Sequence, residues 1–228
     1  MQVDIQRSSE RGATKTSWLN SRHSFSFANY LNPARMGFGL LRALNEDVIE
    51  PGGGFPTHHH DNMEIITIVL EGTLQHKDSA GTEGTIREGE VQHMSAGRGI
   101  YHSEFNTSQQ RLHLLQVWIE AKQQDIKSFY QQKRTKLKKN ALVEVAGKNS
   151  MQINQDAALL IGELSKNVEV FHNIAQDQGA YVFVISGEID IGRYKLSKGD
   201  AASITDTKLF SLKAADDCKV LVIDVPME

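Results

Sequence analysis

Short apolar runs, each cut off by glycine or a small polar residue, recur along most of this chain, and no other feature constrains the fold as much. Runs of this length between turn signals are typical of sandwiches and barrels, because a sheet can bury its apolar face only against another layer. Strands are predicted over 40–49, 64–70, 73–77, 91–95, 100–104 and 112–119. The segments EGT at 71–73 and SAGTEG at 79–84 read as turns, since glycine reaches positive φ without a Cβ penalty. Helical periodicity is scarce. Its best candidate is the polar stretch 123–132, which has few apolar positions to pack with.

The two halves of the chain repeat one plan. MEIITIVLEGTLQHKD is followed by a loop and IREGEVQHMSAG, and further on AYVFVISGEIDIG is followed by YKLSKGDAASITD. One supersecondary unit used twice predicts an all-β chain of two jelly-roll β-barrel lobes with little helix. Residues 1–122 are expected to form an N-terminal metal-binding lobe, 123–140 a connecting segment, and 141–228 a C-terminal lobe without a metal site. The second copy lacks the histidine cluster described below and holds only His172. The connecting segment carries Lys133, Arg134, Lys136, Lys138 and Lys139, which read as a solvated linker face or as a docking surface for an acidic protein partner.

With 228 residues, 39% hydrophobic and 23% charged, the chain can bury a sizeable core and has the composition of an ordinary globular protein. Its formal charge of −3, from 25 basic and 28 acidic residues, gives no global attraction to nucleic acid or membrane. The basic run has no interleaved aromatics and no helix-turn-helix signal accompanies it, so direct nucleic-acid binding is not expected. The N-terminus lacks a secretory pattern, and no apolar run approaches the ~18 residues of a membrane span, so a cytoplasmic location is expected. A single cysteine, Cys218, rules out an internal disulfide, and the adjacent Asp216 and Asp217 disfavour its thiolate.

The chemistry concentrates in GGGFPTHHHDNMEIITIVLEG, residues 52–72, and GEVQHMSAGRGIYHSEFN, residues 89–106. Side chains two apart on a strand share a face, so His58 pairs with His60, His59 opposes them, and His102 pairs with Glu104. Two such strands can enclose one metal with three imidazoles and a carboxylate. That set suits iron, nickel, cobalt, copper, manganese or zinc, and it leaves a net positive site for an anionic oxygen. Glu64 stands on the same parity as His58 and His60 and is the alternative carboxylate ligand.

The pattern Gly52…His58-His59-His60…Glu64…Gly72, followed by Gly89…Gly97…His102…Asn106, resembles the two motifs of the cupin superfamily. The run HSFSFANYLNPARMGFGLLRALNEDVIEPGGGFPTHHHDNMEIITIVLEGTLQHKDSAG, with MSAGRGIYHSEFN after it, narrows the resemblance to the pirin family, and within it to the bacterial quercetinase type. The likeness is dense over about the first 120 residues and holds only in outline for the C-terminal lobe. It implies a bicupin with one divalent ion, iron in the first place, on His58, His60, His102 and Glu104. His59 stands where relatives often have proline, and the RGI segment before Tyr101 departs from the general cupin spacing and agrees with pirins.

The resemblance further implies a dioxygenase that opens a flavonol ring with O2, its substrate a polyphenol, with Glu104 as general base. The alternative it carries is a non-enzymatic, redox-responsive regulator that binds a protein partner. Phe55, Met63 and His93 are candidate walls of the substrate pocket. The remaining histidines read as structural: His23 as a local hydrogen-bonding group, His76 as a strand residue near solvent, and His113 as a satisfied core histidine.

Overall fold

The computed structural model describes all of residues 1–228. All four of its sheets are antiparallel, and the only helical element is a single 3-10 turn, Ser8–Glu10. The N-terminal lobe has a seven-stranded sheet in the order Phe129–Arg134, Glu90–Ser95, Met63–Glu71, Leu112–Glu120, Leu41–Ile49, Leu19–His23, Gly12–Lys15. It packs on a four-stranded sheet, Gly54–His60, Ile100–Phe105, Thr73–Asp78, Glu83–Arg87. The C-terminal lobe repeats the plan with a six-stranded and a four-stranded sheet. This is the expected bicupin.

Strand alternation divides the buried residues among the layers. On the seven-stranded sheet Ile66, Ile68, Leu115, Val117 and Ile119 turn outward and meet Tyr181, Phe183, Leu221 and Ile223 of the six-stranded sheet. This layer between the lobes holds 22 buried residues against 16 inside the C-terminal barrel, so the largest core of the molecule joins the lobes and does not lie within either one. At roughly 1.5–3 kcal/mol per large apolar side chain, burial here ties the lobes into one body. Arg11 crosses the same layer, bonded to Glu46 at 2.8 Å and lying 4.8 Å over the Phe183 ring.

The two barrels differ in what fills them. The C-terminal interior is apolar, with Val182, Val184, Ile189, Leu212 and Val222, and its His172 is paired with Asp224 at 2.8 Å. The N-terminal interior is polar along one wall and carries the site.

Two segments depart from the sequence expectation. The stretch 123–132 forms no helix; Phe129–Arg134 is a strand that extends the seven-stranded sheet beside Glu90–Ser95. With few apolar positions it has no face to bury as a helix, whereas a sheet edge supplies backbone partners. The first strand, Gln2–Gln6, pairs with Ala201–Thr205 and so belongs to the C-terminal lobe's sheet. Lys133, Arg134, Lys136, Lys138 and Lys139 are all exposed. Cys218 is free and buried, and burial raises its thiol pKa. No helix of the protein is long and apolar enough to cross a membrane.

Candidate metal centre and cavity

Strand pairing builds the site. Gly54–His60 and Ile100–Phe105 run antiparallel with His102 opposite His58, and a bulge between His102 and Glu104 resets the register. The approach is close: a Cβ on Gly54 would lie 2.4 Å from the Glu104 carbonyl oxygen, so this position accepts no side chain. His58, His60 and His102 come together, with ligand nitrogens within 4.8 Å of one another. His59 is exposed and packs against Tyr101, facing away as its parity requires.

His58 and His102 have partners that set their tautomers. His58 donates from Nδ1 to the Pro56 carbonyl at 2.8 Å, which leaves Nε2 as the free lone pair. His102 Nε2 lies 3.0 Å from that nitrogen. Two donors about 2.1 Å from one ion and at right angles to each other would be about 3.0 Å apart, so the pair fits adjacent positions on a single metal. Burial, followed by the charge of the neighbouring histidines, pushes His60 and His102 down to about 3, so both are neutral and able to coordinate near pH 7.

Behind His102 stands a chain that the sequence reading missed. Asp78 accepts from His76 Nε2 at 3.1 Å, and His76 Nδ1 faces His102 Nδ1 at 3.5 Å. The expectation of His76 near solvent is therefore corrected: it is fully buried, and Leu74, His76 and Asp78 alternate inward along one strand. With the His76 proton on Nε2, its Nδ1 accepts from His102, and His102 turns its own Nε2 lone pair to the cluster.

Glu104 is buried and belongs to a second group with His76 and His102, within the same 4.8 Å limit. Gln116 donates to its Oε2 at 2.8 Å, and Trp118 Nε1 in turn donates to Gln116 Oε1 at 3.0 Å. Glu104 Oε1 is buried without any partner. Such an oxygen costs about 1–3 kcal/mol unless something binds it, and a cation at the neighbouring imidazoles would do so. With three imidazoles and one carboxylate, the residues present fit a divalent ion.

Glu64 lies elsewhere. Both its oxygens are engaged, by His93 at 2.6 Å, Ser95 at 2.5 Å and the Asn154 backbone N–H at 2.9 Å. Parity does not carry from His60 to Glu64, because Asn62 at φ +47° turns the chain into a different sheet. Burial would raise the Glu64 pKa, but the His93, Ser95 and Asn154 bonds outweigh it and leave the pKa lowered. Asn106, from the second motif, ties its loop to the Ile49 and Gln110 carbonyls and is not in either ligand group.

A cavity of about 420 Å3 opens beside His58 and Glu104. Its walls are aromatic: Trp18 meets Phe55 edge-on at 5.4 Å, and Phe27 meets Trp118 at 5.0 Å. Phe55 lines the cavity, whereas Met63 and His93 do not. Met63 packs with Ile65 and Met94, and His93 is bonded to Glu64 and, through Nδ1, to Gln131 at 2.9 Å. Met63 lies on the inner face of its strand with Ile65 but packs there outside the cavity lining, whereas His93 stands opposite Ile66 and faces outward with it. His23 also borders the cavity, held by Asn45 at 2.8 Å and Thr14 at 2.9 Å, so its local hydrogen bonding is as expected. His113 is half-buried against Glu46 at 3.1 Å.

The Pirin family model matches residues 4–119. The chain belongs to the pirin family. The quercetinase C-terminal cupin domain matches residues 144–225 of this pirin. It is 42% identical over 228 residues to quercetin 2,3-dioxygenase of Escherichia coli K12, covering 98% of this chain and 99% of that protein. It is 32% identical over 233 residues to a pirin-like protein of Caulobacter vibrioides, covering 97% and 99%. The crystal structure of the bacterial pirin YhhW from Escherichia coli in complex with nickel(II) superposes on this pirin with a TM-score of 0.94 and 40% identity over 99% of both chains.

Proposed function

We propose that this pirin is a metal-dependent dioxygenase of the quercetin 2,3-dioxygenase type, which opens a flavonol ring with O2. The observation that carries the reading is the aromatic-walled cavity ending on His58 and Glu104. Trp18, Phe55, Phe27 and Trp118 suit a flat aromatic substrate, and a volume of about 420 Å3 lies in the range of small-molecule sites.

His58, His60, His102 and Glu104 would hold the ion, iron in the first place. When bound, the ion supplies a Lewis acid that favours the deprotonated form of the flavonol 3-hydroxyl. Glu104 is the base that takes that proton, while the Gln116 bond to Oε2 fixes the carboxylate plane. Trp118 holds Gln116 and walls the cavity as well, so the base and the substrate face share one support.

The test is oxygen uptake with quercetin after reconstitution with iron, nickel, cobalt or copper. The expected result is one O2 consumed per flavonol, with carbon monoxide released. The second reading, a metal-dependent regulator of a protein partner, draws on the exposed basic run from Lys133 to Lys139. Stoichiometric metal with no oxygen uptake under any of the four ions, together with metal-dependent capture of a partner, would favour that reading.

A further inference from the structure

The polar wall of the cavity on the seven-stranded sheet is built by two cross-strand pairs. In the seven-stranded sheet Ser21 sits opposite Asp47, and His23 opposite Asn45. Positions two apart share a face, so all four side chains line the cavity, with Thr14 opposite Ser21 on the next strand. Most of this polar wall satisfies itself. Asn45 Oδ1 accepts from His23 Nδ1 at 2.8 Å, which leaves His23 Nε2 to accept from the Thr14 hydroxyl at 2.9 Å.

Asp47 is the exception. It is only 4% exposed, and its Oδ1 has no hydrogen-bond partner. A buried carboxyl oxygen without a partner is costly, and folding alone would favour an apolar residue between Ile49 and Ala43 on this inward face. Taking the flavonol reading as given, we infer that Asp47 is a specificity-determining residue, which accepts a hydrogen bond from a phenolic hydroxyl of the substrate other than the metal-binding one. The site would then select poly-hydroxylated flavonols over those that carry only the metal-binding hydroxyl.

The surroundings suit that role. Burial, with the nearby Glu104 charge and against the Ser21 hydroxyl, pushes the Asp47 pKa up to about 7. Either protonation state keeps an acceptor oxygen, and Ser21 stands opposite Asp47 on the neighbouring strand. A phenol is a better donor than water and arrives with its ring already desolvated against the Trp18–Phe55 pair. A flavonol without that hydroxyl would leave Asp47 unpaired under a closed lining, and sites built to hydrogen-bond a hydroxyl discriminate strongly for this reason.

The test compares quercetin with 3-hydroxyflavone, which has the metal-binding hydroxyl and no other. Dissociation constants are measured by fluorescence on the metal-loaded full chain, for wild type, Asp47→Leu and the near-isosteric Asp47→Asn. The wild type is expected to prefer quercetin about tenfold or more. The ratio should fall towards one in Asp47→Leu and lie between in Asp47→Asn, which keeps an acceptor and guards against a folding defect in the leucine variant. Equal affinity of the wild type for both flavonols, or an unchanged ratio in both variants, overturns the role of Asp47 and leaves the flavonol reading standing. Failure of the wild type to bind either flavonol overturns both.

Discussion

His58 and His102 face one another across paired strands with their Nε2 atoms 3.0 Å apart. Two imidazole nitrogens that turn lone pairs towards each other repel unless a proton or a cation lies between them, so the contact is poised for a metal. His58→Ala should lower metal affinity at least about a hundredfold, beyond the usual effect of an outer-shell change. Equilibrium dialysis with metal analysis by mass spectrometry measures it, and wild-type stoichiometry in the variant would count against the assignment.

The Asp78–His76–His102 chain predicts a smaller, separable effect. His76→Phe removes the acceptor that orients His102 and leaves His58, His60, His102 and Glu104 in place. Metal affinity should fall about 10- to 100-fold. Nitrogen NMR shifts should show His102 losing its fixed tautomer. A variant with both properties unchanged would reduce His76 to packing against Tyr130.

How much of this could be read from the residues depends on how far apart in the chain the partners lie. Within single strands the two-residue alternation placed His58 with His60 and turned His59 outward, because those relations need only local geometry. The same rule failed for Glu64, where the turn at Asn62 moves the chain to another sheet. His76 carried a usable signal, since it shares parity with Leu74, but its neighbour His102 comes from pairing at a distance in sequence. Ser21, Asp47 and Gln116 carry no local signal of a cavity. Only the sheet order, with Leu19–His23 beside Leu41–Ile49 beside Leu112–Glu120, brings them together.

Glu64 and His93 predict stability rather than chemistry. Their bond, with the Asn154 N–H from beyond the connecting segment, links the seven-stranded sheet to the C-terminal half. His93→Leu leaves a buried carboxylate short of its main partner and should cost about 3–5 kcal/mol in denaturant unfolding. Metal content should not change. Loss of metal with unchanged stability would place Glu64 back among the ligands.

Glu46 predicts an acid limb. Burial opposes its charge, but the His113 bond and the Arg11 charge outweigh it and hold its pKa at about 2, against an ordinary 4.5. A depressed carboxylate contributes stability that is fully present above its unfolded pKa and is lost as pH falls through its folded one. Stability should therefore drop by up to about 3 kcal/mol between about pH 4.5 and 2. Glu46→Gln should flatten that limb in urea titrations, and an unaltered slope would assign it to other carboxylates.

The site is tested most directly by measuring metal content and quercetin turnover on the same preparations of wild type and Glu104→Gln. Glutamine keeps an oxygen donor beside the three histidines but cannot take a proton. The variant is predicted to keep most of its metal and to lose turnover by about 10²- to 10⁴-fold. Turnover equal to wild type at equal metal content would contradict the assignment of Glu104 as the base.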